Sequence, residues 1–468
     1  MKVIHVSAEC YPVAKVGGLA DVVGALPIYQ TKLGVNSQVI MPLYNNAFTQ
    51  GHGFKSVFTS HIKLGNKKIK TRILKLIKKD QLSYDIFFVD IPDLLHTKFV
   101  YSEDDTERFL AFQIAVLDWI LSLKQVPNLI HCHDHHTGLI PFMMSHSNAY
   151  KSLKEIPTVL NIHNAQYQGW FDYNQAHLLP AYDKNMAGLL DWNDCINPLA
   201  AAIKCAWHII AVSPSYMEEL KTNANGLEAL LSHESNKCSG ILNGIDAAVW
   251  NPKTDPYLDE NYNRTSVQAG KKAAKNKLCA TYGLDPHKAL FTFIGRLVVE
   301  KGADLFPEIF SKSLKKLDVS ILLLGSGDPV VEKKLTTLKS THKGQFNAHI
   351  GYDEALSHLI YAGADFLLMP SRVEPCGLNQ MYALRYGTIP VVNNIGGLKD
   401  TIIDVSDNGF GFLHEEVSID AVVNAMHRAN NLYENTNEFK KIRKLIMQID
   451  HSWDASAAAY INLYNTLI

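Results

Sequence analysis

The sequence predicts an α/β protein built from two doubly wound parallel-sheet domains. In both halves of the chain, short and almost wholly apolar strands run through a turn into a helix, as in parallel sheets that are buried on both faces. The chain has 468 residues, which is too long for one hydrophobic core. Residues 250–264 are rich in Pro, Asp and Asn and therefore mark a boundary between the halves.

The composition narrows the class of protein. The formal net charge is −1, which gives no reason to expect a nucleic-acid partner or a charged membrane surface. No apolar run approaches the roughly 20 residues that cross a bilayer, so no membrane partner is expected. The seven cysteines are an odd number without a CxxC pair, which predicts reduced thiols and a cytoplasmic protein. The oligomeric state stays open.

The first domain begins with an apolar strand at residues 3–8, followed by the loop ECYPVAKVGGLADVVGALP. Gly17 and Gly18 let the backbone turn sharply and approach a ligand closely. Lys15 precedes them, so the loop is either a phosphate grip or a tight turn with an ordinary lysine; it lacks the P-loop and GxGxxG patterns. Asp21 lies in the first turn of the next helix, where the dipole favours it and where it could also meet a ribose.

Two later strands of the first domain end in polar residues. The strand at 129–133 is followed by Asp134, and the strand at 158–163 ends at His163 with Asn164 just beyond it. Such strand ends face one crevice in a parallel sheet. We therefore expect Asp134 to accept hydrogen bonds from sugar hydroxyls and His163 to be functional.

Four histidines within six residues, at 131, 133, 135 and 136, raise the alternative of a metal site. No acidic or cysteine partner is spaced as in known zinc motifs, so we expect no metal. The last strand of this domain leads into the NGID turn at 243–246. There Asn243 and Asp246 either contact a ligand or simply form the turn.

The second domain begins with a strand at 290–294, followed by the loop GRLVVEKGADL. Arg296 and Lys301 flank the turn into the next helix, where two cations are well placed to bind a pyrophosphate leaving group. Farther along, Tyr352 follows the third strand of this domain. Its ring could stack on a nucleobase or pack against the fold.

Residues 370–398, PSRVEPCGLNQMYALRYGTIPVVNNIGGL, form a strand–turn–helix–strand unit with the preceding apolar strand. Cys376 and Gly377 open the helix, which runs from Leu378 to about residue 386. The first N–H groups of a helix have no internal partner and carry partial positive charge. A helix start of this kind suits a diphosphate or the hydroxyls of a sugar.

Glu374 lies at the same turn, where a carboxylate can face a centre that becomes positive. Together, the helix start and Glu374 suit glycosyl transfer from a sugar nucleotide; the alternative is an ordinary βα loop with a surface glutamate. Gly396 and Gly397 make another glycine turn before a helix. The repeated β-α units make both domains Rossmann-like.

We place the first domain at residues 1–245 and the second at 246–450. The remaining residues, 451–468, predict an amphipathic helix that crosses back onto the first domain.

The chain resembles the bacterial glycogen synthase and plant starch synthase family. The motifs that carry the resemblance span the chain in order: KVGGLADVVGALP (15–27), HCHDHHTG (131–138), NIHNAQYQG (161–169), AVSPSY (211–216), LNGID (242–246), GRLVVEKG (295–302), LLLGSGDP (322–329), GYDE (351–354) and PSRVEPCGLNQMYALRYGTIPVV (370–392).

The resemblance implies a GT-B fold, with two Rossmann-like domains facing a central cleft. It implies a hexosyltransferase that moves glucose from ADP-glucose to the 4-OH at the non-reducing end of an α-1,4-glucan, with retention and without a metal. The alternatives are a retaining glucosyltransferase that uses UDP-glucose or a different small acceptor, and a catalytically idle glucan-binding homologue.

The same resemblance implies roles for individual residues. Lys15 contacts the donor phosphate or the departing diphosphate, and Asp134 and His163 lie beside the transferred glucose. Arg296 and Lys301 hold the diphosphate, Glu374 and the helix start at 376–378 hold the glucosyl unit, and Asp21 and Tyr352 look like ribose and base contacts. The remaining expected substrate-binding residues are Gly17, Gly18, Asn164, Asn243, Gly396 and Gly397. His135 departs from the pattern, because the family usually has Trp there.

Overall fold

The computed structural model describes residues 1–78 and 82–468, which divide into two compact units. The first unit comprises Met1–Leu242 together with Trp453–Ile468, and the second comprises Asn243–Ser452. In the described residues, no helix is both long and apolar enough to cross a membrane. All seven cysteines lie in this part of the chain, and each is a free thiol.

The first unit is built on a nine-stranded sheet. Its strands are β1 (Lys2–Val6), β2 (Asn36–Pro42), β3 (Phe54–Leu64), β4 (Lys67–Leu76), β5 (Asp85–Asp90), β6 (Leu129–His133), β7 (Thr158–Ile162), β8 (His208–Ala211) and β9 (Cys238–Gly240). The spatial order is β9-β8-β7-β6-β1-β2-β5-β4-β3. All neighbours pair in parallel except β3 with β4 and β4 with β5, which are antiparallel.

This strand order explains where the polar residues of the first unit emerge. From β1 the chain moves to β2 on one side, whereas β6 pairs with β1 on the other side. Ligands bind at such a switch point, at the carboxyl ends of the strands. The Lys15 loop follows β1 and Asp134 follows β6, so both begin at this point.

The principal helices of the first unit cover the sheet. They are α1 (Gly18–Lys32), α2 (Thr106–Ser122), α3 (Leu139–His146), α4 (Pro198–Cys205), α5 (Pro214–Leu220) and α6 (Glu228–His233). The carboxyl-terminal helix, Trp453–Leu467, also belongs to this unit and contacts α1. Its buried face presents Trp453, Ala457, Tyr460 and Tyr464 at helical spacing, and these pack with Val22 and Leu26 of α1.

The second unit has a six-stranded, wholly parallel sheet. Its strands are β10 (Ala289–Leu297), β11 (Val319–Gly327), β12 (Phe346–Ile350), β13 (Phe366–Met369), β14 (Ile389–Asn393) and β15 (Phe412–His414). The order β12-β11-β10-β13-β14-β15 is that of a doubly wound nucleotide-binding sheet. Its switch point lies between β10 and β13, the strands that precede Lys301 and Glu374.

The helices of the second unit are α7 (Val267–Tyr282), α8 (Phe306–Lys316), α9 (Pro329–Thr341), α10 (Glu354–Gly363), α11 (Asn379–Tyr386), α12 (Gly396–Thr401), α13 (Ile419–Glu434) and α14 (Thr436–Ile446); the terminal helix of the first unit is α15. Two local expectations are corrected. Arg296 lies inside β10, because this strand continues its pairing with β11 as far as Leu297. Helix α11 begins at Asn379, with Leu378 at its N-cap.

Candidate active site

The loop after β1 is organised by a buried carboxylate that the sequence did not single out. Glu9 is 3% exposed, and its Oε2 accepts hydrogen bonds from the backbone N–H groups of Val16 (2.5 Å) and Gly17 (3.0 Å). The hydroxyl of Tyr101 donates to Oε1 of Glu9 at 2.5 Å. Glu9 therefore sets the path of the backbone that carries Lys15. Its position just after a buried strand was the signal that could have identified it.

Lys15 and Asp21 are brought together at the start of α1. Nζ of Lys15 lies 2.7 Å from Oδ1 of Asp21, and both side chains are substantially exposed. The backbone bends at Val16 and Gly17, directly before α1, although neither Gly17 nor Gly18 has a positive φ. An added Cβ at either position would meet no protein atom within 4 Å. The fold itself thus does not require glycine here, and the space beside this backbone is open.

Asp134 sits in a strained and buried position at the end of β6. Its φ of 54° with ψ of −174° lies in a region that residues other than glycine rarely adopt. Its Oδ1 accepts a hydrogen bond from the backbone N–H of His163 at 2.7 Å. Burial raises the pKa of Asp134 to about 7, against the lowering effect of N–H groups from His163 and Asn164. The structure therefore unites the ends of β6 and β7, as the sequence predicts.

His163 is partly exposed, and one of its ring nitrogens contacts buried polar groups in the core of the first unit. Its Nε2 lies 2.9 Å from Nδ2 of Asn161 and 3.0 Å from Nδ1 of His133. Burial lowers the pKa of His163 to about 3, so the ring is neutral at ordinary pH. Neighbouring Asn164 accepts a hydrogen bond from the backbone N–H of Gln166. The exposed edge of this pair can bind a hydroxyl without presenting a net charge.

His5, His131 and His133 form the group among the described residues whose side chains could hold a metal ion. One ring nitrogen from each lies within 4.8 Å of the others. The pair His5 and His133 is already hydrogen-bonded through Nδ1 and Nε2 at 3.1 Å. A bound divalent ion would have to break that bond, and this group of three described histidines includes no carboxylate to offset the charge of an ion in a buried site.

The second unit brings Lys301 and Glu374 together across its switch point. Nζ of Lys301 lies 2.6 Å from Oε2 of Glu374, and the hydroxyl of Ser371 donates to the same oxygen at 2.8 Å. The Glu374 side chain is 8% exposed and that of Lys301 is 24% exposed. Glu374 is thus not a surface glutamate, and this pair is far more enclosed than Lys15 with Asp21.

Arg372, which the sequence analysis missed, fixes the turn that carries Lys301. Its guanidinium binds both carboxylate oxygens of Asp304, at 2.6 and 2.9 Å, and donates to the carbonyl of Val299 at 2.6 Å. Its backbone N–H donates to the carbonyl of Glu300. These contacts of Arg372 lie on both sides of Lys301 in the sequence. They therefore fix the backbone of the short turn that carries Lys301.

The turn after Glu374 packs tightly against the start of α12. The N–H of Gly397 donates to the carbonyl of Glu374 at 3.1 Å, and a Cβ at Gly397 would fall 2.0 Å from the carbonyl oxygen of Cys376. Gly377 has a φ of 72°, which favours glycine. Burial raises the pKa of the Cys376 thiol to about 12, against a lowering contact from the backbone of Asn243. The structure therefore gathers Glu374, Cys376, Gly397 and Asn243.

The structure also shows where the remaining predicted residues of the second unit lie. Arg296 is exposed and forms no ion pair with any residue that the structure describes. Tyr352 is 86% exposed, so its ring is not packed into the core. The Oδ1 atom of Asn243 is buried and finds no hydrogen-bond partner among the described residues. Gly396 begins α12 with a φ of 45°.

Comparison with known proteins places the chain in a family. The starch synthase catalytic domain family matches residues 2–233, and the group 1 glycosyl transferases match residues 275–445. A glycogen synthase from Flavobacterium johnsoniae is 48% identical over 471 residues, covering 100% of this chain and 99% of that protein. The chain belongs to the glycogen synthase and starch synthase family. Glycogen synthases of Streptococcus pneumoniae are 36% identical over the full length of both chains.

Solved structures give the same result for the fold of this glycosyltransferase. The catalytic domain of starch synthase IV from Arabidopsis thaliana, bound to ADP and acarbose, is similar with a TM-score of 0.87 and 31% identity, over 100% of this chain and 99% of that one. A sucrose-phosphate synthase from Thermosynechococcus elongatus shares the fold, with a TM-score of 0.63 at 16% identity, over 100% of this chain and 98% of that one. The predicted GT-B fold is confirmed.

Proposed function

We propose that the chain transfers glucose from ADP-glucose to the 4-OH at the non-reducing end of an α-1,4-glucan, with retention of configuration. Support comes from full-length similarity to glycogen synthases and from a starch synthase relative whose structure holds ADP and acarbose. The donor, the glucan acceptor and the residue roles are parts of this proposal.

The observation that carries the proposal is the enclosed contact between Lys301 and Glu374 at the switch point of the second unit. Lys301 is held at its backbone by Arg372, so it can neutralise the charge that develops on a departing diphosphate without reorganising. Arg296 supplies a second cation from β10, at an exposed position. Glu374 offers a carboxylate to an anomeric centre that becomes positive in an oxocarbenium-like transition state.

The first unit supplies groups that suit a sugar better than a phosphate. Asp134 can accept hydrogen bonds from sugar hydroxyls. The neutral ring of His163 has one nitrogen that donates and one that accepts a hydrogen bond. Lys15, on an open glycine loop, adds a third cation toward the diphosphate. Because three basic side chains serve the leaving group, we propose that transfer needs no divalent metal.

Activity in the presence of a chelator tests whether a metal is needed. The prediction of a cytoplasmic protein with free thiols also stays part of the proposal.

The donor is tested with a panel of ADP-, UDP- and GDP-glucose, using glycogen as acceptor and the wild-type chain. We expect incorporation of glucose from ADP-glucose to exceed that from the other donors. Preference for UDP-glucose would support the second candidate, and glucan binding without transfer from any donor would support an idle homologue. If a small glucoside accepted glucose better than glycogen does, the proposed glucan acceptor would be wrong.

The leaving-group cations are tested by Arg296→Ala and Lys301→Ala. Each is expected to lower turnover by roughly 10²–10³, the usual effect of removing one preorganised charge contact. Lys277→Ala is the matched control, because Lys277 pairs with Asp259 on the exposed surface of the same unit. Near-normal rates in folded Arg296→Ala and Lys301→Ala proteins would refute these assignments.

A further inference from the structure

The loop that follows β7 presents two large aromatic side chains to solvent. Tyr167 is 65% exposed and Trp170 is 68% exposed, which makes Trp170 the most exposed of the six tryptophans. Both lie a few positions after His163 and Asn164, the polar residues proposed to meet a sugar. Aromatic rings that are left in water beside polar groups mark a surface where a ligand can cover them.

The exposure of these rings does not come from a loose loop. Gln168 lies between them and is 8% exposed, and its Nε2 donates to the carbonyl of Asn225 at 2.9 Å. Phe171 follows Trp170 directly and is 5% exposed. It exchanges two backbone hydrogen bonds with Ile196, at 2.9 and 3.0 Å. The residues next to Trp170 are therefore fixed in the fold, while its indole stays at the surface.

A further contact places the backbone of this loop beside the end of β6. Gly169 has a φ of 68°, and a Cβ there would fall 2.3 Å from the ring of His135. His135 directly follows Asp134, whose Oδ1 accepts from the backbone N–H of His163. Because Trp170 is the next residue after Gly169, its Cα lies within about 4 Å of that contact. Trp170 thus stands next to the polar end of β6 and not on a distant surface.

The composition of this loop suits a neutral sugar chain better than a phosphate. Residues 164–175, NAQYQGWFDYNQ, include no Lys or Arg but several amide side chains. A phosphate is bound by cations or by the start of a helix. A glucose unit instead has C–H groups that pack on a flat aromatic ring, and hydroxyls that amides can hydrogen-bond. A glucan repeats this unit, so one unit can cover Trp170 while the end of the chain occupies the site.

We propose that Trp170 stacks on a glucose unit of the acceptor glucan behind the reacting end of that glucan. Asp134 and His163 are proposed to meet the transferred glucose, so an aromatic ring on the neighbouring loop is placed for a unit farther along the acceptor. This contact makes the chain prefer long acceptors to short ones. The identity of the acceptor rests on the proposed function, whereas stacking of an α-1,4-glucan on Trp170 is measured without any transfer.

Binding is tested by isothermal titration calorimetry of the full chain with maltoheptaose, in the absence of a donor. We expect Trp170→Ala to weaken the Kd about tenfold, the effect of one lost aromatic contact, and Trp170→Phe to keep most of the affinity. An equal Kd for the wild type and Trp170→Ala would overturn the inference, and so would a wild type that binds no maltoheptaose.

Trp207→Ala is the matched control for this measurement. Trp207 is 42% exposed in the same unit, but it directly precedes β8, whose first residue pairs with the start of β7. It therefore lies at the opposite edge of the sheet from His163, and its removal should leave the Kd for maltoheptaose unchanged. A loss of affinity in Trp207→Ala as large as in Trp170→Ala would show that the effect is not specific to this loop and would overturn the inference.

Kinetics with acceptors of two lengths provide the second readout. In Trp170→Ala, the KM for maltoheptaose should rise about tenfold, while the KM for ADP-glucose and that for maltose stay within about twofold. An equal rise in KM for maltose and maltoheptaose would refute the contact with a unit behind the reacting end. If the wild type transferred no glucose from any donor, the proposed function would fail, while the calorimetry would still decide whether Trp170 binds a glucan.

Discussion

In the first unit, the groups that contact His163 from the core side are buried and uncharged, whereas the second unit buries a cluster of paired charges. Burial lowers the pKa of His5 to about 4 and that of His163 to about 3, and Asp134 keeps its proton up to about pH 7. In the second unit, Asp365 binds Lys275 and Arg443 at 2.6 Å each, with all three side chains under 10% exposed.

The uncharged groups around His163 in the first unit and the Lys301–Glu374 pair of the second unit match what each unit is proposed to bind. A sugar offers hydroxyls, which neutral donors and acceptors can satisfy without the desolvation of an ion. A diphosphate offers a concentrated negative charge, which needs cations held in place. A buried charge is costly unless it is paired, so the second unit must keep partners for its cations even when no ligand is bound.

The largest effect is expected from breaking the buried charge cluster of the second unit with Asp365→Asn. The carboxylate also accepts from the backbone N–H of Leu290 at 2.9 Å. Burial raises the pKa of Asp365, but Lys275 and Arg443 lower it more, so the pKa lies below its ordinary value. Removing this charge leaves two buried cations uncompensated and should destabilise the protein by about 3–5 kcal/mol.

The measurement is the free energy of unfolding in urea at neutral pH. Asp259→Asn is the control, since Asp259 forms an exposed pair with Lys277 in the same unit. Such surface pairs contribute little to stability. Equal unfolding curves for the two variants would show that the cluster is not held together by its charges. The contribution of Asp365 should be present near neutral pH and fade as pH falls below about 4.

Asp134→Asn tests whether Asp134 in the first unit is uncharged when folded. The measurement is the free energy of unfolding as a function of pH. The folded pKa of about 7 lies above the ordinary value of 3.8, so the folded state holds a proton that the unfolded state releases. Stability should therefore fall as pH rises from about 4 to 7, by up to about 4 kcal/mol. Asn keeps the oxygen that accepts from His163 but cannot ionise, so its curve should lack this slope. Parallel curves for the two proteins would contradict the raised pKa.

Local sequence was enough to predict the strands and the polar residues at their ends. The apolar run of β6 is bounded by Asn128 and Asp134, and the predicted strand has the bounds of the observed one. Asp134 was recognised because a charged residue directly after a buried strand is conspicuous, and Glu374 because it lies in the turn between a buried strand and a helix. The same signal was present at Glu9, where the sequence does not show that the carboxylate reaches the loop at Val16 and Gly17.

Long-range partners could not be predicted in this way. Neither Tyr460 nor Asn161 has a local pattern that indicates the other, because the hydrogen bond between them depends on where α15 packs. Arg372 was missed because its importance lies in binding Asp304 and the carbonyl of Val299, which only the turn brings near. The bend before α1 was predicted from Gly17 and Gly18, but the sequence does not show that it forms without a positive φ at either residue.

The smallest effect is expected from Asp21→Asn, which removes the exposed ion pair between Lys15 and Asp21 in the first unit. The side chains of Lys15 and Asp21 are 48% and 31% exposed, and pairs of this kind contribute about 0–1 kcal/mol. Freeing Lys15 should therefore change the KM for ADP-glucose by less than about threefold, with the difference shrinking as salt is added. Steady-state kinetics at two ionic strengths measure this. A tenfold or larger rise in KM that persists in high salt would mean that Asp21 itself contacts the donor, as the ribose alternative holds, and that the first unit also binds its ligand through a fixed charge.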